Sequence, residues 1–240
     1  MGLVKTAVGD AVLTSLWVAG ASTLGTLTLV VSSAIGVSPR SPPGLAVTTL
    51  LATALLLIFS ILGALLGGAS FNPATTVALK TAGLKPDATL LALGVRFPAQ
   101  AAGGVAGALT ILQLMPSKYK HMLKGPSLKV DSHTGALAEG AFTFVLCLAL
   151  LTIFTRGPRN LLVKMSMVAI VTVALVVTGS SYTGPSMNPA NAFGWAYVNG
   201  WHTTWELFYV YWMCPFVGAF LAATIFKLLF PVQKPKEKKA

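Results

Sequence analysis

The chain has 240 residues, of which 55% are hydrophobic and 10% are charged, and its mean hydropathy is +0.76. This composition excludes an ordinary soluble domain and indicates a protein that crosses a membrane several times. The net charge of +11 would suit a nucleic-acid-binding protein, but the basic residues lie at the ends of apolar segments and in the tail. They form no continuous basic face, so we predict no nucleic-acid partner.

Six apolar windows almost free of charge predict six membrane-spanning helices. Their approximate bounds are residues 10–37, 45–66, 89–112, 134–155, 162–179 and 204–230. An even number of spans puts both termini on the same side of the lipid bilayer. With that side taken as the cytoplasm, twelve basic residues, Arg96 among them, are cytoplasmic and five lie outside, which predicts cytoplasmic termini.

Two uncharged stretches are too long for one membrane span, so each contains one span and a remainder. Residues 45–79 and 165–205 contain 35 and 41 residues without Asp, Glu, Lys or Arg, whereas a span needs roughly 20. Each stretch contains the same tripeptide, Asn72-Pro73-Ala74 in the first and Asn188-Pro189-Ala190 in the second. Asn is a strong helix N-cap and Pro suits the first helical turn, so half-helices are predicted to begin there. Non-helical backbone at membrane depth is tolerated where it lines a watery cavity, which indicates a pore.

The two halves of the chain repeat one plan. Asp10 is followed by Thr14, Glu139 is followed by Thr143, and each acid precedes one Asn-Pro-Ala motif. Because three spans separate the copies, the second enters the membrane from the opposite side, as an inverted repeat. We predict one all-α membrane channel domain over residues 1–240, with repeats at about 5–113 and 134–230 and a basic cytoplasmic tail at 231–240. Asp10 and Glu139 are predicted to brace the motif loops by accepting hydrogen bonds, in preference to transferring protons.

The paired half-helices predict a channel for water and small neutral solutes. Two helix N-termini carry roughly one positive charge together, which repels a monovalent cation by on the order of 3 kcal/mol at about 5 Å and an effective dielectric near 20. A neutral solute escapes this repulsion. The alternatives are a secondary transporter, since inverted repeats also occur there, and a non-conducting structural protein of the endoplasmic reticulum membrane.

An enzyme is not predicted. The histidines at positions 121, 133 and 202 are spaced for neither a metal site nor a catalytic triad. We therefore expect no catalytic residue, no metal and no cofactor.

Three segments resemble the aquaporin family, the major intrinsic proteins. They are Gly68-Ala-Ser-Phe-Asn-Pro-Ala-Thr75, the fourteen residues from Ser181 to Gly194, and Phe97-Pro-Ala-Gln100. The short N-terminus, the basic character, the Asn-Ala-Phe-Gly-Trp-Ala-Tyr run and the lysine-rich tail are similar to the plant small basic intrinsic proteins. This resemblance implies six spans with two re-entrant half-helices, a homotetramer of independent pores, water transport and residence in the endoplasmic reticulum. Ala74 departs from the subgroup, in which the last residue of the first motif is often altered.

The resemblance also assigns a selectivity filter, and here the chain departs from water-selective members. The family's Arg directly after the second motif is Asn191 in this chain. The filter residue three before the motif is Pro185, and the one twelve before it is Val176, where water-selective members usually have His. The fourth filter residue stays open between Ala52 and its neighbours Leu51 and Thr53. A largely apolar filter without a full positive charge is expected.

The C-terminal tail resembles a retrieval signal. Lys238 and Lys236 stand third and fifth from the C-terminus, which resembles the dilysine pattern by which coat proteins retrieve membrane proteins to the endoplasmic reticulum. The alternative is a solvated basic end that attracts anionic lipid.

Overall fold

Helices make up all the regular structure in the part of the chain that the computed structural model describes, residues 2–85 and 87–231. Lys236 and Lys238 lie outside those residues. The long helices are Leu3–Ala34 (α1), Pro42–Leu65 (α2), Leu90–Leu114 (α4), Ser132–Arg156 (α5), Leu161–Gly179 (α6), and Trp205–Phe208 (α8) continued by Cys214–Leu229 (α9). A π-helical turn, Tyr209–Met213, joins α8 to α9, so the last predicted span is interrupted.

The two short helices begin where the motifs predict. Pro73–Thr81 (α3) and Pro189–Val198 (α7) have Asn72 and Asn188 as their N-caps, and Pro stands in the first turn of each. Other helix starts follow the same chemistry. Asp131 caps α5 from outside the membrane, and its hydrogen bonds with Thr134 hold the pKa of the Asp131 carboxyl below its usual value.

Five helices in the described ranges are long and apolar enough to cross a membrane. The sixth span, α4, falls short because it contains Arg96, Gln100 and several glycines. The first span differs from the sequence prediction, which placed its start at Asp10. Helix α1 begins two turns earlier, at Leu3, because Asp10 is paired inside the protein and does not mark a membrane surface.

Helix packing has the symmetry of an inverted repeat. Helix α1 packs on α2 and α4, and α5 packs in the same way on α6 and α9. Each half-helix packs against the last span of the opposite half, α3 on α9 and α7 on α4, while α2 contacts α6 across the centre. The predicted fold is therefore confirmed, with six spans around two re-entrant half-helices, and each half-helix is held by the other repeat.

Glycines let α4 approach two neighbours at once. A Cβ atom at Gly103 or Gly107 would collide with backbone carbonyls of α1, and a Cβ atom at Gly104 would collide with the Ala190 carbonyl of α7. These contacts are between backbones, which leaves no flexible side chain to move aside. The glycine run of this span thus serves packing within the chain.

Candidate pore site

The first motif contacts the second through the side chain of Asn72. Its Oδ1 atom accepts hydrogen bonds from the backbone N–H groups of Ala74 at 2.9 Å and Thr75 at 3.4 Å. Its Nδ2 atom donates to the carbonyl of Met187 at 2.9 Å. One amide therefore caps its own half-helix and ties that helix to the residue just before the second motif.

Asn188 makes the same contacts in the opposite direction. Its Oδ1 accepts from the N–H groups of Ala190 at 3.1 Å and Asn191 at 3.4 Å, and its Nδ2 donates to the carbonyl of Phe71 at 3.0 Å. A primary amide has two N–H donors, so each Asn keeps one donor beyond its cross-link. The prolines Pro73 and Pro189 are buried in the first turns, where their missing N–H leaves nothing unsatisfied.

Asp10 lies at the centre of a buried polar cluster. Its carboxylate forms a two-point ion pair with Arg96, with Nε to Oδ2 at 2.7 Å and a terminal guanidinium nitrogen to Oδ1 at 2.8 Å. Gln100 donates to Oδ2 at 2.7 Å, and the backbone N–H of Ser70 donates to Oδ1 at 2.8 Å. Asp10 and Arg96 are 0% and 1% exposed. The Ser70 bond connects this cluster to the loop that leads into the first motif.

Glu139 makes the corresponding loop contacts in the second half without a cation. Its Oε1 accepts from the hydroxyl of Thr183 at 2.9 Å and the N–H of Ser186 at 2.9 Å, and its Oε2 accepts from the N–H of Met187 at 3.0 Å. No basic side chain in the described ranges pairs with it. Met187 has a φ of 48°, a left-handed conformation that costs a non-glycine residue energy. The bonds to Glu139 and Asn72 hold the backbone there.

Arg96 was missed by sequence reasoning. It is one of the twelve residues counted above as cytoplasmic, but it does not lie at a membrane surface, because it is the buried partner of Asp10. Without it the predicted cytoplasmic side still holds eleven basic residues against five outside, so the direction of the charge bias is unchanged. The available signal was the spacing of Arg96 and Gln100, which are four residues apart and so lie on one helix face.

The motifs border a continuous cavity of about 730 Å³. Asn72 and Asn188 line it, and so do the three residues assigned to the filter, Val176, Pro185 and Asn191. The Nδ2 atom of Asn191 donates to the hydroxyl of Ser186 at 3.2 Å, which orients its amide. Of the three open positions on α2, Ala52 is the one that borders this cavity among the described lining residues.

An aromatic wall adjoins the motif region of the cavity. Trp17 stacks on Phe71 with ring centroids 4.1 Å apart, and Phe59 meets both rings edge-on at 5.2 and 5.8 Å. All three residues border the cavity. The carbonyl of Phe71 is the acceptor for Asn188, so the aromatic packing and the motif cross-link stabilise the same segment.

A second cavity of about 200 Å³ lies beyond Asn191. Asn191 and Pro185 form one side, and the segment from Met122 to Pro126 forms the other. Gly125 has a φ of 66° and lies so close to the ring of Trp195 that a side chain there would overlap it. The loop between α4 and α5 therefore covers the larger cavity at the end where Asn191 lies.

Two half-helices that meet by their N-termini inside a bundle of six spans define a passive membrane channel and not an enzyme. The family profile described as "Major intrinsic protein" matches residues 4–226. The chain belongs to this family, the aquaporins, and within it to the small basic intrinsic proteins.

Named relatives are similar over nearly the whole chain. It is 55% identical to "Aquaporin SIP1-1" of Zea mays over 99% of this chain and 98% of that protein. It is 56% identical to "Aquaporin SIP1-1" of Oryza sativa subsp. japonica, with the same coverage. The fold resembles the aquaglyceroporin from Plasmodium falciparum, with a TM-score of 0.72 and 20% identity over 96% of this chain and 98% of that one.

Proposed function

We propose that this protein is a passive pore for water and small neutral solutes, formed as one channel domain. The observation that carries the proposal is the reciprocal hydrogen bonding of Asn72 and Asn188 between two helix N-termini on one cavity. Each amide retains one N–H group that donates a hydrogen bond to the oxygen of a passing molecule. The helix ends disfavour cations by on the order of 3 kcal/mol at about 5 Å and dielectric 20. The names of the relatives, aquaporins, agree with this proposal.

The proposed filter at Val176, Pro185 and Asn191 is weakly polar. Val176 has no polar side-chain atom and Pro185 has no N–H, so a water molecule there recovers few of the hydrogen bonds that it loses. Asn191 offers an amide in place of a guanidinium, and part of that amide is engaged by Ser186. We therefore expect modest water flux and weak discrimination against less polar neutral solutes.

Stopped-flow light scattering on proteoliposomes tests conduction and filter together. Wild-type vesicles are expected to shrink faster than empty ones, and Asn191→Arg is expected to lower the solute-to-water permeability ratio several-fold. The reason is that a guanidinium occupies more of a narrow site and adds N–H donors, which hydrogen-bond water better than they hydrogen-bond a less polar solute. The control is Asn191→Gln, which keeps the amide. An Asn191→Arg protein that conducts water with the wild-type ratio would remove Asn191 from the filter.

We further propose residence in the endoplasmic reticulum with both termini in the cytoplasm, and a homotetramer as the resemblance implies. The bias of basic residues supports the orientation, and Lys236 with Lys238 supports recognition of the tail by coat proteins. The variant Lys236→Ser, Lys238→Ser is expected to leave the reticulum, as followed by fluorescence microscopy. Lys234→Ser, Lys239→Ser removes the same charge from other tail positions and should stay. If both variants remain in the endoplasmic reticulum, the two lysines do not retain the protein there.

A further inference from the structure

Lys85 lies on the wall of the channel cavity. It belongs to the segment between α3 and α4, and its Nζ atom donates to the carbonyl of Gly68 at 2.9 Å. Gly68, which has a φ of 82°, lies on the backbone that leads from α2 to the first motif. This hydrogen bond holds the ammonium group against the loop that bears Asn72.

The described residues that line the cavity include one charged side chain, that of Lys85. No nearby carboxylate among the described residues neutralises the ammonium group of Lys85. Arg96 and Asp10 neutralise each other in their own ion pair, and no carboxylate in the described ranges lies within ion-pair distance of Lys85. Asp87 is exposed two residues further along the chain. Burial, followed by repulsion from Arg96, lowers the pKa of Lys85, while Asp10 and Asp87 act in the opposite direction.

The position of this charge complements what the filter lacks. Asn191 follows the second motif, at the end of the cavity covered by the loop between α4 and α5. Lys85 follows the first half-helix, which runs from the paired motifs in the direction opposite to the half-helix that contains Asn191. The cavity therefore has its full positive charge at the end away from Asn191.

We propose that Lys85 is a specificity-determining residue of the pore, excluding small cations at the mouth on the side of the first motif. This inference rests on the proposed channel function. A fixed ammonium group on a partly dehydrated wall repels a cation and leaves an isosteric neutral solute unaffected. The hydrogen bond to Gly68 holds the charge at the cavity wall.

Guanidinium and urea form a suitable probe pair, because they are planar molecules of nearly equal size and differ in charge. Radiolabelled uptake of both is measured in proteoliposomes, together with water permeability from stopped-flow scattering on the same preparation. Lys85→Met is expected to raise the guanidinium-to-water permeability ratio by about tenfold, with a much smaller change for urea. Lys85→Arg retains the charge and is expected to retain the wild-type ratio.

Lys80→Met is the matched control. Lys80 lies in the last turn of α3 and does not border the cavity in the described structure, so its removal changes the surface charge of the same region without changing the wall. If Lys85→Met yields no folded protein, Lys85→Gln provides a polar replacement with the same expected increase. An unchanged guanidinium ratio in a water-conducting Lys85 variant, or an equal increase in Lys80→Met, would overturn the proposal. Wild-type vesicles no faster than empty ones would instead refute the channel function, and this inference with it.

Discussion

Arg96→Met is expected to lower the free energy of unfolding by ~3–5 kcal/mol, the usual cost of leaving one member of a buried ion pair without its partner. Asp10 would keep the donors from Gln100 and Ser70 and lose both guanidinium bonds. A carboxylate with 0% exposure has no access to water that would replace them. Reduced yield and an earlier melting transition in detergent measure the effect.

Two further variants distinguish the effect of breaking the buried ion pair from the effect of removing any positive charge. Arg159→Met removes an exposed charge between α5 and α6 and should melt like the wild type. Asp10→Asn combined with Arg96→Met removes both charges and should recover part of the lost stability, because no unpaired ion remains. If Arg96→Met melts with the wild type, the cluster contributes nothing to stability.

Gly104→Ala is expected to separate α4 from α7, with a loss of ~3 kcal/mol or more, toward the upper end of overpacking costs. The new methyl group would overlap the carbonyl of Ala190, the last residue of the second motif. Because α7 begins at that motif, its displacement would also weaken the cross-link from Asn188 to Phe71. Melting in detergent and water permeability should therefore fall together.

Gly94→Ala is the control for this substitution within the same helix. A Cβ atom at Gly94 meets nothing within 4 Å, and replacing glycine in a helix interior by alanine stabilises the helix by roughly 0.5–1 kcal/mol. Gly94→Ala should therefore melt at or above the wild-type temperature. A Gly104→Ala protein with wild-type permeability would show that this close approach of backbones does not hold the second half-helix in place.

Local chemistry predicted the half-helices well. Asn followed by Pro inside an uncharged segment indicates a helix start, and both helices start at the predicted residues. The bounds of five spans agree with the apolar windows within a few residues, because membrane thickness sets their length. The start of α1 was misplaced because Asp10 was treated as the edge of a hydrophobic segment.

Long-range pairing is what the sequence could not predict. Arg96 lies 86 residues from Asp10, and a hydropathy window assigns each charge to a surface because it contains no partner. The position of Lys85 on the cavity wall was hidden for the same reason, since its acceptor is a backbone carbonyl 17 residues away. The fourth filter residue on α2 stayed open among three neighbours because a shift of one residue rotates a side chain by about 100° around the helix axis.

The cross-link between the motifs has a consequence for the order in which the protein is made. Asn72 leaves the ribosome 115 residues before its acceptor Met187, which corresponds to about 6–23 s at roughly 5–20 residues per second. During that time neither the Asn72 amide nor the Phe71 carbonyl has its later partner in the chain. The cross-link between the two motifs therefore forms only after synthesis has reached the last third of the chain.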